Sequence, residues 1–372
     1  MERLGQSDAV ESGQKKKQKM LSQEEIKRYS RQIVLPEIGM EGQEKLKNAK
    51  VLVIGAGGLG CPVLQYLAAA GIGTIGIVDD DVVDESNLQR QILYVFEDIG
   101  LSKAITAAKK LSTQNPNVNY QIWNTRLQKE NALDLISQYD LVVDGSDNFP
   151  TRYLVNDACV ILKKPFVFGS IYKFEGQLSV FNYKEGPTYR CLFPVPPEDS
   201  QNCSEIGVMG ALPGIIGTLQ ANEVIKIVTG IGEVLSGKLL LVDALDLTFR
   251  SIKFMRVEDN SKINKLSDYE LMCETPVKEI SAKKLKEKLD NKEDIQLIDV
   301  REEYEYSTYN IKGESIPLKS IVENRHKISK SKQVIVHCQQ GGRSTMAIKL
   351  LQEKYNFQNL FNLSGGLNAF QQ

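Results

Sequence analysis

Hydrophobic positions along the chain fall into two rhythms, short unbroken apolar runs and longer stretches with helical spacing. Val51-Leu-Val-Ile54 is the first unbroken run, and consecutive branched aliphatic residues suit a strand buried on both faces of a parallel sheet. A glycine-rich turn, a helical segment Cys61–Ala70 and a second strand Gly73–Val78 complete a βαβ unit. Another helix opens at Ser102, and Val118–Trp123, Leu141–Val143 and Pro165–Phe168 are further strands. Strands alternating with helices across residues 50–170 predict the α/β class, with a doubly wound, mostly parallel sheet. From Gln177 the alternation becomes hairpin-like, followed by an apolar helix over Pro213–Val228 and strands over Lys238–Val242 and Phe249–Arg256.

The rhythm lapses between Val257 and Pro276, a polar stretch that reads as a linker. A second, smaller α/β series follows: helix Ser281–Leu289, strands Gln296–Val300 and Gln333–His337, helix Arg343–Lys354 and strand Asn359–Leu363. The expected organisation is a disordered polar tail over residues 1–20, a first domain over 21–256, the linker over 257–276 and a second domain over 277–372. Composition, 42% hydrophobic and 25% charged, is that of a soluble globular protein. With 46 Lys and Arg against 47 Asp and Glu, no overall field draws nucleic acid or an anionic membrane, so neither is an expected direct partner. The most apolar long stretch, residues 211–228, is interrupted by Gln220, Asn222, Glu223 and Lys226 and reads as a soluble helix rather than a membrane span. The tail carries Lys15, Lys16, Lys17 and Lys19 and lacks an apolar signal core, and the six cysteines form no even framework, so a reducing cytoplasm is expected.

Between the first strand and its helix lies Gly55-Ala-Gly57-Gly58-Leu-Gly60, where a Rossmann-like nucleotide fingerprint belongs. Glycines let the backbone approach a phosphate, and the helix N-terminus favours its charge. Asp79 ends the next strand, placed to take a ribose hydroxyl. This much leaves NAD and ATP both open. Ser86, Asn87 and Arg90 follow closely, Lys103 opens the next helix, and Asp147-Asn148 comes just after Leu141–Val143. Singly, Arg90 reads as a surface ion pair, Lys103 as a solvated charge and Asp147-Asn148 as a turn. Together a guanidinium and an ammonium suit a triphosphate better than a dinucleotide, and Asp147 could hold Mg2+ between phosphate oxygens.

In this setting the chain resembles the adenylyltransferases that activate ubiquitin-like sulfur carriers, the molybdopterin-synthase and thiamine-pathway activating enzymes. The resemblance runs from Arg28 to about Arg256 through Arg28-Tyr-Ser-Arg31-Gln32, the glycine loop with Cys61-Pro62, Asp79-x-Asp81, Ser86-Asn-Leu-Gln-Arg90-Gln91, Asp144-Gly-Ser-Asp147-Asn148 and Thr151-Arg152-Tyr153. Tyr189-Arg-Cys191-Leu-Phe-Pro194, Gly207-Val-Met-Gly210 and Pro213-Gly214 extend it. It implies that Gly58, Asp79, Ser86 to Arg90, Lys103 and Asp147-Asn148 contact ATP, with Asp147 on magnesium. It implies a homodimer in which Arg31 reaches the nucleotide of the other subunit. The implied reaction is attack of a carrier's C-terminal Gly-Gly carboxylate on the α-phosphate, for which positioning and charge neutralisation suffice.

Relatives in that family carry two Cys-x-x-Cys pairs on a structural zinc. Here Thr188-Tyr-Arg-Cys191 keeps half of the first pair and Cys273 stands alone where the second belongs. Two thiols without a nearby histidine do not close a tetrahedral site, so no zinc is expected and Cys191 reads as structural. The resemblance makes Cys203 the thiol that attacks the activated carboxyl, through a thioester or a disulfide-linked sulfur intermediate. Cys61 and Cys159 read as core.

In the second series, His337-Cys338-Gln-Gln-Gly-Gly-Arg343-Ser344 follows a buried strand and opens a helix. Loop amides and the helix dipole favour a thiolate and cradle an anion. The Cys-x4-Arg spacing is one residue shorter than the phosphatase loop and suits a terminal sulfur. With Ile298-Asp299-Val-Arg301-Glu302 and Leu363-Ser-Gly-Gly366, residues 281–372 resemble a rhodanese domain. The resemblance implies a persulfide on Cys338, loaded from a donor such as a cysteine desulfurase, with Arg343 steadying the loop. Asp299 and Arg301 read as a structural ion pair, and Asn310 stands where the family has histidine. Adenylation and sulfur delivery on one chain would give a carrier thiocarboxylate for molybdopterin, thiamine or thiolated tRNA synthesis. The rivals are an NAD(P)-dependent oxidoreductase, a non-catalytic scaffold for a ubiquitin-like protein, and a true ubiquitin-type conjugating activator.

Overall fold

Lys50–Ile54 (β1), buried over its last four residues, is the hub of the larger sheet. It pairs in parallel with Thr74–Val78 (β2) on one side and Leu141–Asp144 (β4) on the other; Asn119–Trp123 (β3) extends the first side and Phe166–Tyr172 (β5) the second. The sheet therefore changes direction between β1 and β4, the switch point at whose carboxyl edge a doubly wound fold binds ligands. Glu175–Phe181 (β6), Lys238–Asp243 (β7) and Thr248–Lys253 (β8) continue it antiparallel, giving the order β3-β2-β1-β4-β5-β6-β7-β8. The expected class and the hairpin-like change after Gln177 both hold.

The computed structural model describes residues 20–195, 207–267, 269 and 277–371, which divide into two compact units. In the first, Gln23–Arg28 (α1), Ser30–Ile33 (α2) and Gly39–Asn48 (α3) precede the sheet. Gly60–Ala70 (α4), Lys103–Gln114 (α5), Lys129–Ser137 (α6) and Phe149–Ile161 (α7) are the crossover helices of its parallel half. Tyr189–Leu192 (α8) is one turn held in an aromatic cluster, with the Tyr189 ring 4.8 Å from Phe193 and 5.4 Å from Phe168. Leu212–Thr229 (α9) is the apolar helix expected from the sequence; of its polar interruptions Asn222 is exposed and the other three are engaged. Gln220 donates to the Asp144 carbonyl at 2.8 Å, while Glu223 accepts the Leu235 amide at 3.0 Å and pairs with Lys226 at 2.5 Å. Close packing elsewhere depends on Gly76, where a Cβ would stand 2.3 Å from the Tyr139 hydroxyl. That hydroxyl accepts the Trp123 indole N–H at 2.8 Å and donates to Gln121 at 2.7 Å.

In the second unit, Lys278–Ile280 (β9), Ile295–Asp299 (β10), Glu314–Ser315 (β11), Gln333–His337 (β12) and Leu360–Leu363 (β13) form a parallel sheet in the order β11-β10-β12-β13-β9. Ala282–Asp290 (α10), Glu303–Thr308 (α11), Gly342–Tyr355 (α12) and Gly366–Gln371 (α13) complete it, over a core that includes Ile298, Val336, Ile348 and Leu351. Residues 1–19 of the polar tail, Cys203 and Cys273 lie outside the described residues. Among the described residues no helix is long and apolar enough to cross a membrane.

Candidate functional site

β1 and α4 are joined by a loop whose closure needs two of its glycines. Gly55 has φ +87° and donates its amide to the Val78 carbonyl at 2.8 Å; a Cβ there would meet the Gly145 carbonyl at 2.8 Å. A Cβ at Gly60 would lie 1.9 Å from the Gly55 carbonyl, so the loop folds back on itself only with glycine at that position. Gly57 and Gly58 face other groups: Gln91 Nε2 is 3.6 Å from where a Gly57 Cβ would be, and Arg90 Cγ is 3.5 Å from that of Gly58. Two glycines thus shape the turn, while Gly57 lies beside the Gln91 amide and Gly58 packs against the Pro213 ring and the Arg90 side-chain stem.

Asp79 braces this loop from β2. Its Oδ2 accepts the Ala56 amide at 2.7 Å and its Oδ1 the Asp81 amide at 2.9 Å, while burial pushes its carboxyl above the usual range. The Tyr94 hydroxyl donates to the Ala56 carbonyl at 2.8 Å. Lys103, at the start of α5, is 6% exposed and places Nζ 2.9 Å from Oδ2 of the exposed Asp81. A buried ammonium with a solvent-facing partner is poised to exchange that carboxylate for a phosphate oxygen. In the sequence the signal for Asp81 is its two-residue spacing from Asp79, which puts both carboxylates on one side of an extended segment.

The other expected residues take different positions. Ser86 and Asn87 serve their own turn: Ser86 Oγ donates to Asp84 at 2.6 Å and Asn87 Oδ1 accepts the Asp84 amide at 3.3 Å. The Ser86 carbonyl in turn accepts Arg90 Nη1 at 3.0 Å. After β4, Gly145 lies against Gly55, the Ser146 amide binds Asp144 Oδ1 at 3.0 Å, and Asp147 follows, exposed, with Asn148 half-buried at the start of α7. Arg31 belongs to α2, away from its own glycine loop. Its neighbour Gln32 donates to the Ala70 carbonyl at 3.2 Å, at the end of α4 about 15 Å along that helix from the loop.

Cys191 joins two segments of the first unit through its sulfur. Sγ accepts the amides of Thr188 at 3.4 Å and Val257 at 3.2 Å, and Asn260 Nδ2 donates to the Arg190 carbonyl at 2.9 Å. Among the described residues no group of three or more His, Cys, Asp or Glu could hold a metal ion. Cys61 and Cys159 are buried in helices, and burial pushes the Cys61 thiol up to about 12.

The sulfur loop follows β12, the central strand of its sheet. Cys338 is 2% exposed; its Sγ accepts the Gly341 amide at 3.1 Å and faces Ser344 Oγ at 3.5 Å. Gly341, at φ +103°, is the N-cap of α12, and its own amide is the one bonded to the sulfur. Gly366 lets the chain pass, since a Cβ there would meet the Cys338 carbonyl at 2.5 Å. Asp299 and Arg301 form the expected buried pair at 2.8 Å, and Arg301 also donates to the Gln339 side chain at 3.0 Å and the Tyr309 carbonyl at 2.6 Å. Arg343 points to α11 and grips Glu305 through both terminal nitrogens, at 2.6 and 2.7 Å. Asn310 caps locally, taking the Lys312 amide at 3.1 Å and donating to the Tyr306 carbonyl at 3.0 Å. Nothing in the sequence marks Glu305 as the partner, because acidic residues are plentiful around it and their order singles out none.

A braced glycine loop at the switch point, with two basic residues beside it, and a buried thiol at a helix start define a nucleotide-binding α/β enzyme fused to a sulfur-handling domain. Residues 29–263 match the ThiF family and residues 281–372 a rhodanese-like domain, so the chain belongs to the ThiF family and carries a rhodanese-like domain behind it. It is 44% identical over 369 residues to a probable adenylyltransferase/sulfurtransferase MoeZ of Mycobacterium tuberculosis, covering 94% of each chain. It is 43% identical to the adenylyltransferase and sulfurtransferase MOCS3 of Xenopus laevis, over 94% of this chain and 87% of that one. It is 52% identical to a sulfur carrier protein adenylyltransferase of Thermus thermophilus, over 68% of this chain and 98% of that one. The fold recurs in the crystal structure of E. coli MccB with MccA-N7isoASN, at TM-score 0.58 and 23% identity over 64% of this chain and 74% of that one. The chain is an adenylyltransferase and a sulfurtransferase.

Proposed function

We propose that this enzyme adenylylates the C-terminal glycine carboxylate of a ubiquitin-like sulfur carrier and then delivers persulfide sulfur to it from Cys338. The observation that carries the first half is Lys103, a buried cation beside the Asp79-braced loop, with Arg90 next to Gly58. A carboxylate oxygen of the carrier attacks the α-phosphorus of ATP, the bond to the β-phosphate breaks, and pyrophosphate leaves. Lys103 and Arg90 neutralise charge on the phosphates, and the loop amides orient them. A nucleotide-bound magnesium needs only one or two protein carboxylates, which fits the exposed Asp147; when bound it would offset phosphate charge there. The terminal sulfur of the Cys338 persulfide then attacks the acyl carbon and displaces AMP. Cys203, by family resemblance the thiol that attacks the activated carboxyl through a thioester or a disulfide-linked intermediate, would in the second case attack Cys338 Sγ of the acyl disulfide: a Cys203–Cys338 disulfide forms, the bond from Cys338 Sγ to the acyl-bound sulfur breaks, and the thiocarboxylate leaves with the electron pair.

On this reading residues 21–256 carry the adenylylation chemistry and residues 277–372 the sulfur chemistry, joined through 257–276. The position of α2 at the far end of α4 supports a homodimer in which Arg31 serves the partner's nucleotide. A persulfide donor such as a cysteine desulfurase, a cytoplasmic setting, and delivery to molybdopterin, thiamine or tRNA thiolation complete the proposal. The test is carrier-dependent ATP–pyrophosphate exchange. Exchange with a Gly-Gly-ended carrier, reduced in Asp147→Ala, is expected. Absence of exchange, or full exchange in that variant, overturns the adenylation claim.

A further inference from the structure

The segment Cys338–Ser344 contains one charged residue, Arg343, and that charge is already taken. Its two terminal nitrogens bind the two carboxylate oxygens of Glu305 at 2.6 and 2.7 Å, a paired geometry that is among the stronger side-chain interactions. The second guanidinium touching the loop, Arg301, is equally committed, to Asp299, to Gln339 and to the Tyr309 carbonyl. What the loop offers a sulfur anion is therefore the Gly341 amide and the start of α12, dipoles rather than a net charge. A single negative charge on a terminal persulfide sulfur suits such a site. A dianion gains much less there, and reaching Arg343 requires displacing Glu305.

We propose that Glu305 determines which sulfur donors Cys338 accepts: by occupying Arg343 it disfavours small dianionic donors and leaves the loop suited to monoanionic persulfides. The proposal rests on the reading of Cys338 as the sulfur-accepting thiol and goes beyond it by assigning donor selectivity to a residue outside the loop. Arg343 holds the Glu305 carboxyl below the usual carboxylate range, so the clamp stays ionised at neutral pH. The reaction with a dianionic donor is balanced by its own leaving group. The Cys338 thiolate attacks the outer sulfur of thiosulfate, the new S–S bond forms, the S–S bond of thiosulfate breaks, and sulfite leaves with the electron pair. With an alkyl persulfide the same attack releases the alkyl thiolate.

The experiment compares thiosulfate with 2-hydroxyethyl persulfide as donors to the full-length chain, in the wild type, Glu305→Gln and Glu305→Ser. Freeing Arg343 is expected to lower KM for thiosulfate about tenfold, the scale of one well-placed ionic contact, with kcat changed by less than about twofold and the persulfide donor little affected. An unchanged or raised thiosulfate KM in variants that remain folded overturns the proposal. So does a loss of kcat alike for both donors, the signature of a purely structural bond. A wild-type measurement guards against variants that fail to fold: KM for thiosulfate should depend weakly on ionic strength, and a steep rise with salt would reveal a cation already free to serve it. Adding Cys338→Ser to Glu305→Gln separates the two claims. Thiosulfate turnover that survives overturns the sulfur reading itself, whereas Cys338-dependent turnover with unchanged KM overturns only the role of Glu305.

Discussion

The Cys191 sulfur accepts the Val257 amide at 3.2 Å across 66 residues of chain. Thr188 reinforces the junction, its hydroxyl 3.3 Å from the same sulfur and 3.3 Å from the Asn260 carbonyl. A hydrogen-bonded thiol and a hydroxyl thus connect the two segments directly.

Cys191→Ala should lower stability by about 1 kcal/mol, the usual value of hydrogen bonds whose donors lose their acceptor. The wild type should melt at the same temperature with and without a strong chelator. One equivalent of zinc per purified chain, with a chelator-dependent fall in Tm, would contradict this.

His337 gives the sulfur domain an acid limit. The ring is fully buried, 3.8 Å from Asp299, and burial pushes its pKa down to about 4 against an ordinary value near 6.5. Between those values the unfolded chain binds a proton that the folded chain does not, so stability is complete above about pH 6.5 and declines toward pH 4. The loss is on the order of 3 kcal/mol if the whole shift is realised. Below that window Glu305 adds to the decline as it protonates and loosens its grip on Arg343. His337→Gln should flatten the profile between pH 7 and pH 5, read by hydrogen exchange of the β12 amides. A wild-type profile that is already flat would refute the assignment.

Arg301→Ala should be the most damaging single change near the sulfur loop. It leaves Asp299, with no exposed surface, without its guanidinium, and it removes one of the two side-chain bonds that hold Gln339. Breaking one side of a buried pair costs about 3–5 kcal/mol. Urea unfolding followed by NMR of the second unit should show a loss of that size, and a cost below about 1 kcal/mol would rule it out.

Lys103→Ala should cut ATP–pyrophosphate exchange by about 100–1000-fold, the range for removing one preorganised donor to developing oxyanion charge. Replacing Asp81 instead, as Asp81→Asn, removes only the exposed partner and should preserve exchange within about threefold. Equal activity of Lys103→Ala and wild type would remove Lys103 from the nucleotide site.

Much of the fold is legible because its central strands are short apolar runs with no competing reading. Val51–Ile54 and Gln333–His337 match observed strands to within a residue, since both are buried on two faces and their composition is dictated by that burial. Helices α1 to α3 carry little signal in the sequence: they are polar, and their anchors, such as Gln32 on the Ala70 carbonyl, are distant along the chain. Strands β9 and β11, of three and two residues, are too short to carry a pattern. At the site, the glycines and basic residues announce themselves by type and order. Their partners do not. Asp81 on Lys103 and Glu305 on Arg343 are ordinary acidic residues until the fold brings them within 3 Å of a cation.

The hydrogen bond between the Trp123 indole and the Tyr139 hydroxyl has a spectroscopic consequence. Trp123 is the one tryptophan of the chain and sits in β3, on the edge of the nucleotide-binding sheet. Emission excited at the red edge of protein absorption therefore reports on that unit alone, and the rhodanese-like domain is silent in it. In a denaturation series the adenylylating half can be followed by its own fluorescence while tyrosine absorbance or circular dichroism follows the whole chain. The difference between the two curves is the unfolding of the sulfur-transfer half, obtained without a label and without separating the domains.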